Sequence, residues 1–139
     1  MTLELLQQYF GIVSNIEAID DEINALYTPI QSPNGREATG HSNTPSAPTE
    51  RSAMRIIALK EQIGEERARM IELREEIETW LATCQNAEIS AIIRWRFIRR
   101  KNWREVNMKV YGYPDYNYAR RKVIRFFDKE NKHGERKSN

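Results

Sequence analysis

Apolar side chains recur near the start of the chain at Tyr9, Ile12, Ile16, Ile19, Ile23 and Leu26, with spacings that alternate between three and four. That alternation keeps one narrow stripe on one side of a helix and facing a partner, so it predicts a helix over Leu3–Tyr27. Thr2 is placed to cap its start, and Pro29 closes it because proline disfavours the helical conformation in the residue before it. The pattern resumes at Ile56, Leu59 and Ile63, is interrupted at Glu66, and continues through Met70, Leu73, Ile77, Trp80 and Cys84, predicting a second helix that starts at Ser52. Glu66 is expected to sit near an open end of the seam or to pair with a base from another helix, because a carboxylate buried dry is costly. Residues 29–51 read differently. Pro33, Pro45, Pro48, Gly35 and Gly40 stand among Ser, Thr and Asn with almost no large apolar residue, the composition of a mobile connector. Residues 1–85 are therefore expected to form a long antiparallel helical hairpin. Its narrow seam suits completion by a second copy, a homodimer through the hairpin.

After Asn86, a good N-cap, Ile89, Ile92, Ile93 and Phe97 fall on one face of a short helix with Arg94 and Arg96 outside. Asn102-Trp103-Arg104-Glu105 then places a capping residue three positions before a Glu, the pattern that opens another helix at Trp103. Trp103, Val106 and Val110 share its inner face, and Gly112 is its C-terminal stop. Tyr113-Pro114-Asp115 forms a tight turn, with Asp115 placed to cap a third helix over 116–129. That helix carries Ala119, Val123, Phe126 and Phe127 behind and Asn117, Arg120, Arg121 and Arg125 in front. The expected fold class is thus all-α: a coiled-coil-like hairpin followed, over 86–130, by a small three-helix helix-turn-helix domain. Residues 131–139 are read as a disordered basic tail.

Charge sharpens this picture. Residues 1–50 carry 1 basic and 7 acidic residues, net −6; residues 51–86 carry 6 and 7, net −1; residues 87–139 carry 15 and 6, net +9. A helix that follows a short turn, apolar behind and Arg-rich in front, in a strongly basic segment, suits the major groove of double-stranded DNA. The interspersed Glu and Arg of the second helix read instead as a solvated face. Other classes recede. No Gly-rich phosphate loop and no nucleophile–His pairing is present, so no enzyme is expected, and no cofactor. Cys84 is the only cysteine and the two histidines, His41 and His133, lie far apart, so neither a disulfide nor a metal site is expected. With no run of about 20 apolar residues and no secretory start, the chain is expected to be cytoplasmic and to make no membrane contact.

The span RWRFIRRKNWREVNMKVYG followed by PDYNYARRKVIRFF resembles region 4 of sigma-70 factors, and more closely the small phage and mobile-element regulators that carry such a domain after a helical hairpin. The matching residues are Arg96-Phe97, Trp103 and Val106, Gly112, Ala119-Arg120-Arg121-Lys122 and Arg125-Phe126. Asn107 stands where a small residue usually allows the helices to cross closely. The resemblance implies a transcriptional regulator in the manner of a late-gene activator, with the helix over 116–129 reading bases and RNA polymerase as a further partner. Base contacts would fall to Asn117, Arg120 and Arg121, whose planar donor groups match paired acceptors on adenine or guanine. Arg99, Arg100, Lys101 and Arg104 would hold phosphates, joined by Tyr116, Lys122 and Arg125, with Lys109 a lesser candidate. Tyr116 and Tyr118 suit either the DNA backbone or internal packing; Trp95 and Trp103 are expected in the core. Two other functions fit the same layout: a small-terminase-like DNA-packaging adaptor, and a coiled-coil module that binds proteins.

Overall fold

The computed structural model describes residues 1–27 and 49–137, and among them every regular element is a helix. The chain forms α1 (Leu3–Tyr27), α2 (Glu50–Thr83), α3 (Ala87–Ile93), α4 (Trp103–Tyr111) and α5 (Tyr118–Lys137), with a π-helical turn at Arg94–Ile98 that continues α3. The all-α hairpin followed by a three-helix domain is as expected from the periodicity. Most of the expected connector, 29–48, lies outside the described residues.

Each helix start has a local cause. Thr2 Oγ1 accepts from the Leu5 N–H at 3.2 Å and opens α1. Thr49 Oγ1 accepts from the Ser52 N–H at 3.2 Å, so α2 begins at Glu50, two residues before the expected Ser52. Asn86 and Asn102 cap α3 and α4, accepting from the N–H groups of Ile89 (3.1 Å) and Glu105 (2.8 Å). Gly112 ends α4 in the left-handed conformation (φ 85°), a region glycine enters without the Cβ penalty. Two expectations for the last helix are corrected. It starts at Tyr118 and not Tyr116, because Asp115 Oδ1 accepts from the N–H groups of both Asn117 (2.7 Å) and Tyr118 (2.9 Å) and holds 115–117 as a turn. It runs on to Lys137, well past Lys129, so residues expected in a disordered tail are helical; no proline follows Pro114, and Lys- and Glu-rich sequence propagates a helix once started.

The chain divides into two compact units. One unit, Ile12–Arg69, pairs the second part of α1 with the first part of α2. Its core is Ile19, Ile23, Ile56, Leu59 and Ile63, with Leu26 packed at the edge. The Glu22–Arg55 ion pair at 3.2 Å is largely solvated and adds at most about 1 kcal/mol, so the seam of branched apolar side chains holds this unit. Glu66 pairs at 3.8 Å with Arg69 of its own helix and not with a base from another helix.

The other unit joins Met1–Gly11 and Met70–Asn139. Leu6, Tyr9, Ile77, Leu81, Ile89, Ile92, Ile93, Phe97, Val106, Ala119, Val123 and Phe127 are its buried apolar residues. Trp80 of α2 packs on Phe126 and Phe127, and Phe10 of α1 meets Phe97 edge-on, so the first turns of α1 and the last turns of α2 belong to the core of the C-terminal helices. α3 contacts both α4 and α5, and α4 contacts α5. Polar ties brace the same three helices: the Tyr111 hydroxyl of α4 donates to the Glu88 carboxylate of α3, and Lys122 of α5 lies 3.5 Å from that carboxylate.

The α4–α5 relation rests on one buried polar side chain. Asn107 is fully buried; its Nδ2 donates to the Tyr113 carbonyl at 2.9 Å, and its Oδ1 accepts from the Ala119 N–H at 3.0 Å. The carboxamide therefore ties the inner face of α4 to the turn and to the first turn of α5. Asn107→Ala should strand a buried donor and a carbonyl at once, lowering unfolding stability by about 1–3 kcal/mol in chemical denaturation. A reduction under about 0.5 kcal/mol would show that the turn is held by other means.

Candidate nucleic-acid interface

The residues expected to contact DNA are brought together at the start of α5 and the start of α4. Asn117 immediately precedes α5, and Arg120 and Arg121 lie in its first turn, all three exposed. Arg125, one turn on, is exposed as well, and Tyr116 in the preceding turn is 65% exposed. The opposite face of α5 buries Ala119, Val123 and Phe127, so burial of the apolar stripe alone turns the arginines outward. From α4, Arg104 is exposed in the first turn, with exposed Lys101 just before the cap. Among the described residues no carboxylate forms an ion pair with Lys101, Arg104, Arg120, Arg121 or Arg125. Cations outside any ion pair keep their charge available for an outside anion, and within the fold the charge of Arg121 reaches Asp115.

Other candidates are partly engaged within the fold. Lys122 is half-buried, near Glu88 and 5.5 Å from the Tyr118 ring centre, which makes it a brace between α3 and α5. Arg99 and Lys109 lie over the Trp95 ring, at 5.0 and 5.2 Å from its centre. A guanidinium stacked by its face keeps its in-plane N–H groups, so exposed Arg99 still offers donors at its edge. Arg100 is half-buried, takes a left-handed backbone (φ 59°), and packs over Phe10 at 5.1 Å. Trp95 and Trp103, expected in the core, are half-buried platforms for cations. Tyr118, 41% exposed, packs against Tyr111 (4.8 Å between ring centres) and Tyr113 in a surface aromatic cluster, while Tyr116 is 65% exposed.

Three contributors escaped the sequence reading. Asn107 has a signal in retrospect: it adjoins Val106 on the inner face of a helix otherwise lined by Trp103 and Val110, where an amide survives only if its hydrogen bonds are met. Arg96, expected outside, is instead half-buried, its guanidinium 4.5 Å from the Phe10 ring centre and 4.9 Å from that of Trp103, with Nη1 donating to the Lys101 carbonyl at 3.0 Å. Nothing in the local pattern distinguishes it from Arg94, because the π-helical turn that places it leaves no compositional mark. Gln7 of α1 lines the same region and carries no signal at all.

Electrostatics follow from these placements. Burial, then the neighbouring charges of Arg100 and Arg120, lowers the pKa of the Arg96 guanidinium from its usual value. The Tyr111 hydroxyl, then the charge of Lys122, holds the Glu88 carboxyl below its ordinary range, while burial and the same bond to Glu88 push the Tyr111 hydroxyl up. Asp115 is held low by the backbone N–H groups of Asn117 and Tyr118. Both carboxyls thus ionise more readily folded than unfolded. Their stabilisation is complete above the unfolded carboxyl range and is lost as pH falls through the lower folded values. Thermal melts should show little dependence on these groups from pH 7 to about 5 and a falling Tm below about pH 4, with a shallower acid limb in the Glu88→Gln/Asp115→Asn double variant. An identical acid limb would mean that neither carboxylate contributes.

Among the described residues no helix is long and apolar enough to cross a membrane. Comparison of the chain with protein families, with curated proteins and with solved structures finds no match.

Proposed function

We propose that the chain is a sequence-specific DNA-binding regulator of transcription that presents the start of α5 to the major groove of duplex DNA. The observation that carries this reading is the exposed row Asn117, Arg120, Arg121 and Arg125, its arginines in no ion pair with a carboxylate among the described residues, on a helix whose first turn is fastened to α4 by Asn107. A groove reader needs both parts: donors in the first two turns, and a backbone that does not shift beneath them. Lys101 and Arg104, with the edge of Arg99, supply the phosphate contacts that fix register. The likeness to sigma-70 region 4 modules of phage and mobile elements supports the same reading. It adds RNA polymerase as a second partner and the cytoplasm of a bacterial host as the setting.

The hairpin then sets the assembly. On the first part of α2, Met54 and Ile57 are 67% and 60% exposed, one turn apart, and an apolar pair outside the seam favours a second copy docking there as a homodimer. A ring of many subunits would favour the DNA-packaging adaptor instead, and sedimentation of the full chain separates the two.

Replacing both Arg120 and Arg121 by Ala should erase most discrimination between specific and random duplexes, about 1–3 kcal/mol for each base no longer read, with helicity unchanged. Replacing Lys101 and Arg104 should weaken binding to all sequences alike and flatten the salt dependence by roughly one logarithmic unit per phosphate released. Full specificity in the double arginine variant would remove α5 as the reader.

A further inference from the structure

The compact unit that holds α3, α4 and α5 contains a cavity of about 210 Å³ lined by Leu3, Gln7, Phe10, Arg96, Phe97, Trp103, Arg120, Val123 and Ile124. Its chemistry is one-sided. Two guanidinium groups, Arg96 and Arg120, share it, and the charge of Arg120 disfavours that of Arg96. No carboxylate lines it. Among the described residues neither arginine has an acidic partner. Arg96 is fixed by its faces between the Phe10 and Trp103 rings, and its Nε is shielded from solvent without a hydrogen-bond acceptor. A half-buried, preorganised cation with an unmet donor, beside a second cation, offers the donors and charge that suit an anion.

From this geometry we infer that the cavity seats one backbone phosphate of the bound duplex, clamped between Arg96 and Arg120, with the first turns of α1 forming its far wall; Arg120 then serves the backbone, and base reading rests with Asn117 and Arg121. The inference rests on the DNA-binding reading and extends it to a part of the chain outside the helix-turn-helix. Two features select a duplex phosphate over a carboxylate from a protein. Arg120 also belongs to the row with Asn117 and Arg121, so the cavity is continuous with the surface assigned to the groove. Trp103, at its rim, is the first residue of α4 and adjoins Arg104 and, across Asn102, Lys101, so one strand tracking these cations passes the cavity mouth. The volume, equal to about seven waters at roughly 30 Å³ each, accommodates a phosphate group with part of its hydration. The site explains why α1 must pack with α3 to α5: Leu3, Gln7 and Phe10 complete it.

The test places a carboxylate in the seat without disturbing the aromatic packing. Gln7→Glu adds an anion to the cavity lining, and Gln8→Glu, an equally exposed neighbour that does not line it, adds the same charge outside. Binding of the full-length chain to a labelled duplex, measured by fluorescence anisotropy across a salt series, should fall roughly three- to tenfold for Gln7→Glu at moderate salt, and its log–log salt slope should drop by about one. Gln8→Glu should change affinity less than about twofold, with the slope kept. Equal effects of the two variants, or an unchanged slope in Gln7→Glu, would overturn the assignment; the second result is also the one expected if the seat belongs to an acidic peptide. A wild-type chain that binds no duplex at low salt would overturn the DNA-binding reading itself, and this inference with it.

Discussion

Everything proposed for α5 depends on a carboxamide that no solvent reaches. Asn107 accepts from the Ala119 N–H, a donor in the first helical turn that has no partner within its own helix, and donates to the carbonyl of Tyr113 on the approach to the turn. An apolar residue in its place would leave two buried backbone groups unsatisfied, and a serine would be too short to span both. The constraint is therefore on geometry as much as on stability. With Gly112 ending α4 in a left-handed conformation and Asp115 ordering 115–117, the amide leaves α5 one direction in which to start. The arginines one residue further along inherit that direction.

The same unit shows how a crowd of cations is kept folded and yet available. Aromatic faces take up Arg96, Arg99, Arg100 and Lys109, and Glu88 takes up Lys122. Stacking stabilises a guanidinium or ammonium without neutralising it, so the segment keeps its positive field while its side chains are ordered. Lys101, Arg104 and Arg125, which have neither ring nor ion-paired carboxylate among the described residues, belong to the surface assigned to DNA. Only a few carboxylates of the unit take part in bracing, and the acidic balance lies toward the hairpin, where attraction to a polyanion would serve nothing.

How much of this was legible in the sequence follows from how each feature is encoded. The seam of α1 and α2 could be read from spacing because burial along a helix pair is periodic, and Tyr9 through Ile23 and Ile56 through Ile63 are buried accordingly. Caps at Asn86, Asn102 and Gly112 could be read because they are local, set by one side chain and the residues beside it. Leu6 and Leu81 are buried although they are off the seam pattern, and both lie in the compact unit that holds the C-terminal helices. The placement of Asn107 and Arg96 depends on contacts with residues distant in sequence, or on a π-helical turn, and neither leaves a periodic trace. The starts of α2 and α5 shifted by two residues for one reason: a side-chain oxygen, from Thr49 or Asp115, decides where a helix begins more strongly than the apolar pattern behind it.

That the start of α5 faces duplex DNA on a rigid base is tested most directly by titrating a duplex into the isotope-labelled chain and following backbone amide resonances residue by residue. The largest changes should then run from Asn117 to Arg125 and from Lys101 to Arg104, with smaller ones at Gln7 and little change across Ile12–Arg69 beyond any due to self-association. Changes centred on Met54 and Ile57 with α5 silent, or no change at low salt, would contradict that claim.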